Sequence, residues 1–134
     1  MLRKELDWTS LRIKSPLAKK ARRGFRGYPV ATIAYYGQDA EKATKVSFGF
    51  TSHRGEETRI LQRWFSSDVD ARIDLKINGE ILELIQRHGV KSVGLSPGII
   101  GCPHEEGKDY PDGETCPRCP YWKNRDRWTG EIIH

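Results

Sequence analysis

Long apolar runs are missing from this chain. No stretch approaches the roughly 20 residues that a helix needs to cross a bilayer, so no membrane-spanning helix is expected. The first 28 residues lack the apolar core of a secretory signal, and Glu5 and Asp7 argue against a transit peptide. The cytoplasm is therefore the expected compartment. Cysteine is scarce too: there are three, an odd number, and all lie close together. In a reducing compartment such a cluster points to a metal and not to a disulfide framework. Internal repeats and low-complexity tracts are also absent. What remains is a chain of 134 residues, 37% hydrophobic and 31% charged. That composition suits one soluble globular domain with a core smaller than average.

An excess of positive charge is missing from most of the chain. The net charge of +5 conceals a segment of nine Lys or Arg against two acids over residues 1–28, and an excess of acids elsewhere, 16 against 14 basic residues. The arm 1–28 is expected to be basic and flexible, since its apolar residues are too sparse for a helix packed on a core, although Trp8 and Leu11 are candidates for docking. Its cluster Lys19, Lys20, Arg22, Arg23 and Arg26 suits either a solubilising tail or a surface for phosphate backbones, where counterion release supplies affinity without sequence preference.

From Tyr28 the pattern becomes that of a folded core. YPVATIAYY is rich in β-branched and aromatic residues, and ATKVSFGF alternates Val46, Phe48 and Phe50 with polar or small neighbours, which predicts a hairpin. TRILQRWF is expected to add a third strand. Ile77, Ile81, Leu84, Ile85 and His88 share one face of a helix. Asp74 or Asn78 would cap its start, and Gly89 would end it. VKSVGLS supplies a final strand, parallel to the first if it returns beside it. The expected fold class is α+β: a small, mostly antiparallel sheet in the order β-β-(β)-α-β, with one main helix and a C-terminal zinc-knuckle-like loop. The core would occupy 29–100, and a metal-binding segment packed on it 101–134.

That segment reads GCPHEEGKDYPDGETCPRCPYW, with the spacing Cys102-x-His104-x11-Cys116-x2-Cys119. Three thiolates and one imidazole form a recurrent tetrahedral ligand set for zinc. In an extended Cys102-Pro103-His104 the first and third side chains point to one side, and a CPRC turn brings two sulfurs together. Zn2+ is the expected ion, with an iron–sulfur cluster on the same ligands as a rival. A redox role for CPRC fits less well, because such a pair usually follows a strand and opens a helix. The fragments HEE and CPRC echo the zinc deaminase pattern. Cys102, however, closes the site, Thr115 stands where that pattern has Pro, and the nine residues between Glu106 and Cys116 are too few for the intervening helix and strand.

The run IIGCPHEEGKDYPDGETCPRCPYWKNRDRWTG, with HGVKSV upstream, resembles a bacterial protein family marked by a GCPHEEG…CPxCP motif. The resemblance covers roughly residues 30–130 and implies that the three cysteines and His104 act as one unit. It implies no activity, so no catalytic residue is assigned. Downstream, Tyr121, Trp122 and Trp128 interleave with Lys123, Arg125 and Arg127. Such a mixture can stack on bases and neutralise phosphate, but the favoured expectation is that the two tryptophans cover the metal loop and the arginines pair with Asp126, Asp109 or Asp112. His53, His88 and His134 carry no expected function. The sequence thus supports a zinc-stabilised binding protein whose partners are RNA, DNA or an acidic protein, and not a membrane. The alternative is a metal-dependent hydrolase or other enzyme using Glu105, Glu106, Asp109 or Asp112.

Overall fold

A computed structural model describes residues 16–114, 116–123 and 125. Trp8, Leu11, Asp126, Arg127, Trp128 and His134, all considered above, lie outside the described residues. The fold is α+β. A short helix α1 (Pro16–Arg22) precedes strands β1 (Val30–Tyr36), β2 (Lys45–Thr51) and β3 (Arg59–Phe65). A 3-10 turn (Ala71–Ile73), the main helix α2 (Leu75–Arg87) and strand β4 (Ser92–Ile99) follow, and the Cys/His segment ends in a second 3-10 turn (Pro120–Trp122). Among the described residues no helix is long and apolar enough to cross a membrane.

The four strands form one mixed sheet in the order β3-β2-β1-β4. β1 pairs with β2 and β2 with β3 in antiparallel fashion, so TRILQRWF is a strand as expected. β4 returns through the α2 crossover to lie parallel to β1, with Ile33 opposite Leu95. β4 runs further than VKSVGLS, through Pro97. Proline has no amide hydrogen to give a ladder, and here the ladder shifts register between Ile33 and Tyr35. The Ser96 hydroxyl bridges the irregularity: it accepts from the Tyr35 amide at 3.1 Å and donates to the Gly98 carbonyl at 2.7 Å.

Alternation along the strands sends Ala31, Ile33, Tyr35, Val46, Phe48, Phe50 and Trp64 to one buried face. Helix α2 covers this face. Its Ile77, Ile81, Leu84 and Ile85 join the same core cluster, each contributing about 1.5–3 kcal/mol by removing apolar surface from water. The Trp64 indole donates to Glu80 Oε1 at 3.0 Å, and the Phe50 ring meets the His88 ring at 5.3 Å. His88 itself is exposed, so it closes the helix at the rim of the apolar face and does not lie within it. Asp74 is the cap, accepting from the Ile77 amide at 3.0 Å, and Gly89 takes the left-handed conformation with φ of 62°.

The expectation that no helix of the arm packs on the core is corrected. Leu17 is 2% exposed and belongs to the core cluster, and Ala18 is buried beside it. The chain after α1 is then pinned to β4 by one hydroxyl. Ser92 Oγ accepts from the Arg26 amide at 2.7 Å and donates to the Gly27 carbonyl at 2.6 Å.

Before α2 the chain is held by Asp70. Its carboxylate accepts from the Arg72 amide at 2.9 Å and from the guanidinium at 2.9 and 2.7 Å, and Arg72 reaches on to the Glu41 carbonyl at 3.0 Å. Burial alone would raise the Asp70 pKa, but the Arg72 hydrogen bonds and charge outweigh it and hold the carboxyl below its ordinary 3.8. A depressed carboxyl contributes stability that is complete above the unfolded carboxylate range and is lost as pH falls through the folded value. Asp70→Asn should therefore cost about 1–2 kcal/mol at neutral pH. The gap between variant and parent in chemical denaturation should narrow below about pH 4; a gap independent of pH would contradict this account.

Candidate metal centre

The four predicted ligands converge. One ligand atom each from Cys102, His104, Cys116 and Cys119 lies within 4.8 Å of all the others. His104 presents Nδ1, at 3.2 Å from the Cys102 sulfur, 3.4 Å from Cys116 and 3.5 Å from Cys119. A tetrahedral ion with metal–sulfur bonds of about 2.3 Å and metal–nitrogen bonds of about 2.0–2.1 Å spaces its ligand atoms by roughly 3.5–3.8 Å. The group could therefore hold a metal ion, and its dimensions are those of a single four-coordinate one. The Cys102-x-His104 half works because the chain bends back at once: the His104 amide donates to Cys102 Sγ at 3.2 Å.

The three thiols are buried, Cys119 completely, and none is in a disulfide. Burial pushes the Cys119 thiol up, and its neighbours Cys102 and Cys116 push it further. Burial also raises Cys102, against the His104 amide that lowers it. At Cys116 burial again raises the pKa, but the Arg118 amide and hydrogen bonds with Cys102 and Cys119 prevail and the thiol is held below its ordinary value. A bound dication reverses this balance, because it favours the deprotonated form of every ligand.

Two acids of the segment bond its own backbone amides. Asp109 Oδ2 accepts from the Glu105 amide at 2.7 Å, and Glu106 Oε2 accepts from the Gly113 amide at 2.6 Å. Within its turn, Gly107 takes a φ of 84°, a backbone conformation that favours glycine. Glu105 faces away from this turn and is bound by two cations, Lys45 Nζ at 3.1 Å and Arg63 Nε at 2.9 Å. The hydrogen bond from Lys45 holds the Glu105 carboxyl below its ordinary value, against a smaller effect of burial.

Lys45 was not singled out by sequence, where it reads as an outward polar residue of an alternating strand. It is buried, donates to the Pro103 carbonyl at 3.0 Å, and lies 5.3 Å from the centroid of the Tyr36 ring. Gly37 is the second residue that sequence passed over. Its amide donates to the Gly101 carbonyl at 2.9 Å, and its carbonyl accepts from the Trp122 indole at 2.8 Å. Both sides of one residue thus carry the Cys/His segment. Trp122 is buried with Tyr110 and the three cysteines in the same cluster as Tyr35 and Ile99. Arg125 stacks on Tyr121, 4.1 Å from the ring centroid, and its Nε donates to the Tyr121 carbonyl at 2.8 Å.

The structure does not bring Lys19, Lys20, Arg22, Arg23 and Arg26 to the Cys/His group. They lie on α1 and the turn after it, against the other end of β4. Comparison with protein-family models, curated proteins and solved structures finds no match to this chain.

A Cβ on Gly37 would lie 2.2 Å from the Lys42 carbonyl oxygen, a backbone atom that cannot step aside cheaply. Gly37→Ala should cost more than about 2 kcal/mol in denaturant unfolding. It should also weaken metal retention in a chelator competition, because the same residue holds Gly101 and Trp122. Unchanged retention in a folded variant would show that the docking bonds and the ligand set are independent.

Proposed function

We propose that this protein is a small binding protein stabilised by a structural zinc ion, with a nucleic-acid-binding surface formed by Lys19, Lys20, Arg22, Arg23 and Arg26. The observation that carries the metal reading is the closed ligand set, three thiolates and one imidazole nitrogen spaced for one ion with three of the four residues buried. Four protein ligands leave no open position for water or substrate, which is the mark of structural sites. Closeness within 4.8 Å also favours a single ion over an iron–sulfur cluster, whose several irons set the cysteine sulfurs further apart. The enzyme alternative is weakened because Glu106 and Asp109 bond amides of the loop itself and Glu105 is paired with Lys45 and Arg63.

Structural zinc sites release about 10–16 kcal/mol on binding, as much as the whole stability of a small domain. Purified protein should contain one zinc per chain, and X-ray absorption should report three sulfurs and one nitrogen. Chelation, or Cys116→Ser, should abolish amide protection across 101–123 and leave the β1–β2 hairpin protected. A coordinated water in the absorption spectrum, or protection that survives metal removal, would overturn the structural role.

The nucleic-acid reading rests on five cations within eight residues. Deleting residues 1–28 is a poor test, because it removes Leu17 from the core. Charge substitution is cleaner. Lys19→Gln, Lys20→Gln and Arg23→Gln together should weaken binding to generic RNA or DNA, and should reduce the salt slope by about one for each phosphate no longer neutralised. An unchanged slope would remove these residues from the interface.

A further inference from the structure

We propose that the groove between α1 and β4 takes an unpaired nucleobase, so that the protein binds single-stranded nucleic acid in preference to duplex. This rests on the nucleic-acid reading above and gives it a shape.

Beside α1 lies a groove of about 630 Å3, walled by Ala18, Ala21, Arg22 and Phe25 and floored by Val30 and Gly94. Its size is that of a small-molecule site, and its lining is carbon surface and backbone apart from Arg22 and Ser92, whose hydroxyl is already bonded to the Arg26 amide and the Gly27 carbonyl. Phe25 stands at its edge. The ring is 69% exposed although an edge-to-face contact with Tyr28, 5.4 Å between centroids at 73°, holds it in place. A ring held by one neighbour yet largely presented to solvent beside an apolar groove can serve as a stacking platform.

The charge around it has one sign. Residues 16–30 and 91–95, which contain the lining of the groove, include no acid. Over the same stretches stand Lys19, Lys20, Arg23 and Arg26, with Lys91 against Gly27. Lys19, Lys20, Arg23 and Arg26 form no ion pair among the described residues. Among the described residues nothing offsets their mutual repulsion, and an anionic polymer would. A polymer that also places flat apolar units at intervals between its charges can fill the groove and cover Phe25 at the same time. Single-stranded nucleic acid has both properties; in a duplex the base faces are stacked on one another and cannot reach the ring. An acidic peptide supplies charge without the planar group.

The test uses the full chain with its metal. Fluorescence anisotropy would compare a labelled 12-nucleotide single strand of mixed sequence, as RNA and as DNA, with a hairpin duplex of equal charge. It would be run at two salt concentrations. The single strand should bind at least tenfold more tightly. Phe25→Ala should weaken it by about five- to a hundredfold, the range expected for removing one base–aromatic stack, and leave duplex affinity unchanged. Because Phe25 is exposed the variant should fold, which circular dichroism and zinc content would confirm. Phe25→Tyr should bind as the parent does.

Equal affinity for strand and duplex, with no effect of Phe25→Ala, would overturn the groove inference while leaving the basic surface in place. Absence of binding to both would overturn the nucleic-acid reading as well. Tighter, Phe25-dependent binding to polyglutamate or to anionic phospholipid vesicles would assign the groove to an acidic protein or a lipid surface and overturn the proposal.

Discussion

Three thiols and an imidazole held within one buried pocket are an electrostatic problem before they are a binding site. Desolvation and mutual repulsion keep Cys102 and Cys119 protonated when nothing positive is present, and a dication at the centre removes both costs at once. The last part of the chain depends on this balance. From Gly101 onward, only Cys102, Tyr110, Cys116, Cys119 and Trp122 are buried hydrophobics among the described residues, and three of these are the thiols themselves. Burial alone holds such a segment poorly, and an ion bound to its four ligands would not by itself fix it to the sheet. That second task falls to Gly37, to the Lys45–Glu105 pair and to the Trp122 indole.

The parts of this arrangement that depend on near neighbours in the chain were legible. The ligand set could be read because its spacing is short and its residue types are chemically specific. The β1–β2 hairpin followed from the alternation of Val46, Phe48 and Phe50, and the α2 face from Ile77, Ile81, Leu84 and Ile85. The parallel return of β4 beside β1 followed from helix-crossover topology. What could not be read depends on partners far along the chain. Lys45 finds Glu105 across 60 positions, and Gly37 finds Trp122 across 85. Neither residue differs locally from an ordinary outward lysine or turn glycine.

Helix α1 was missed for a related reason. It has seven residues, too few to establish a period, and only Leu17 and Ala18 carry its packing. Every other signal in the segment is charge, which reads as solvated tail. The cations are therefore displayed by an anchored element, and they keep fixed spacing relative to β4. An array of fixed charges loses less conformational freedom on binding than a free tail does. This changes the physical character of the basic segment without changing its composition.

The two kinds of bond that hold the Cys/His segment differ in what the chain must do to form them. Cys102 to Cys119 span 18 residues, so bringing the ligands together closes only a short loop. The bond from the Trp122 indole to the Gly37 carbonyl needs a loop of 85 positions and a completed end of β1. The entropy of closing a loop rises with its length, and pairings between distant positions are slow to assemble. Gathering the four ligands is thus a local event, open to a chain whose sheet has not yet formed. Docking is a global one, and it is the docking that would make any ion held there part of the fold.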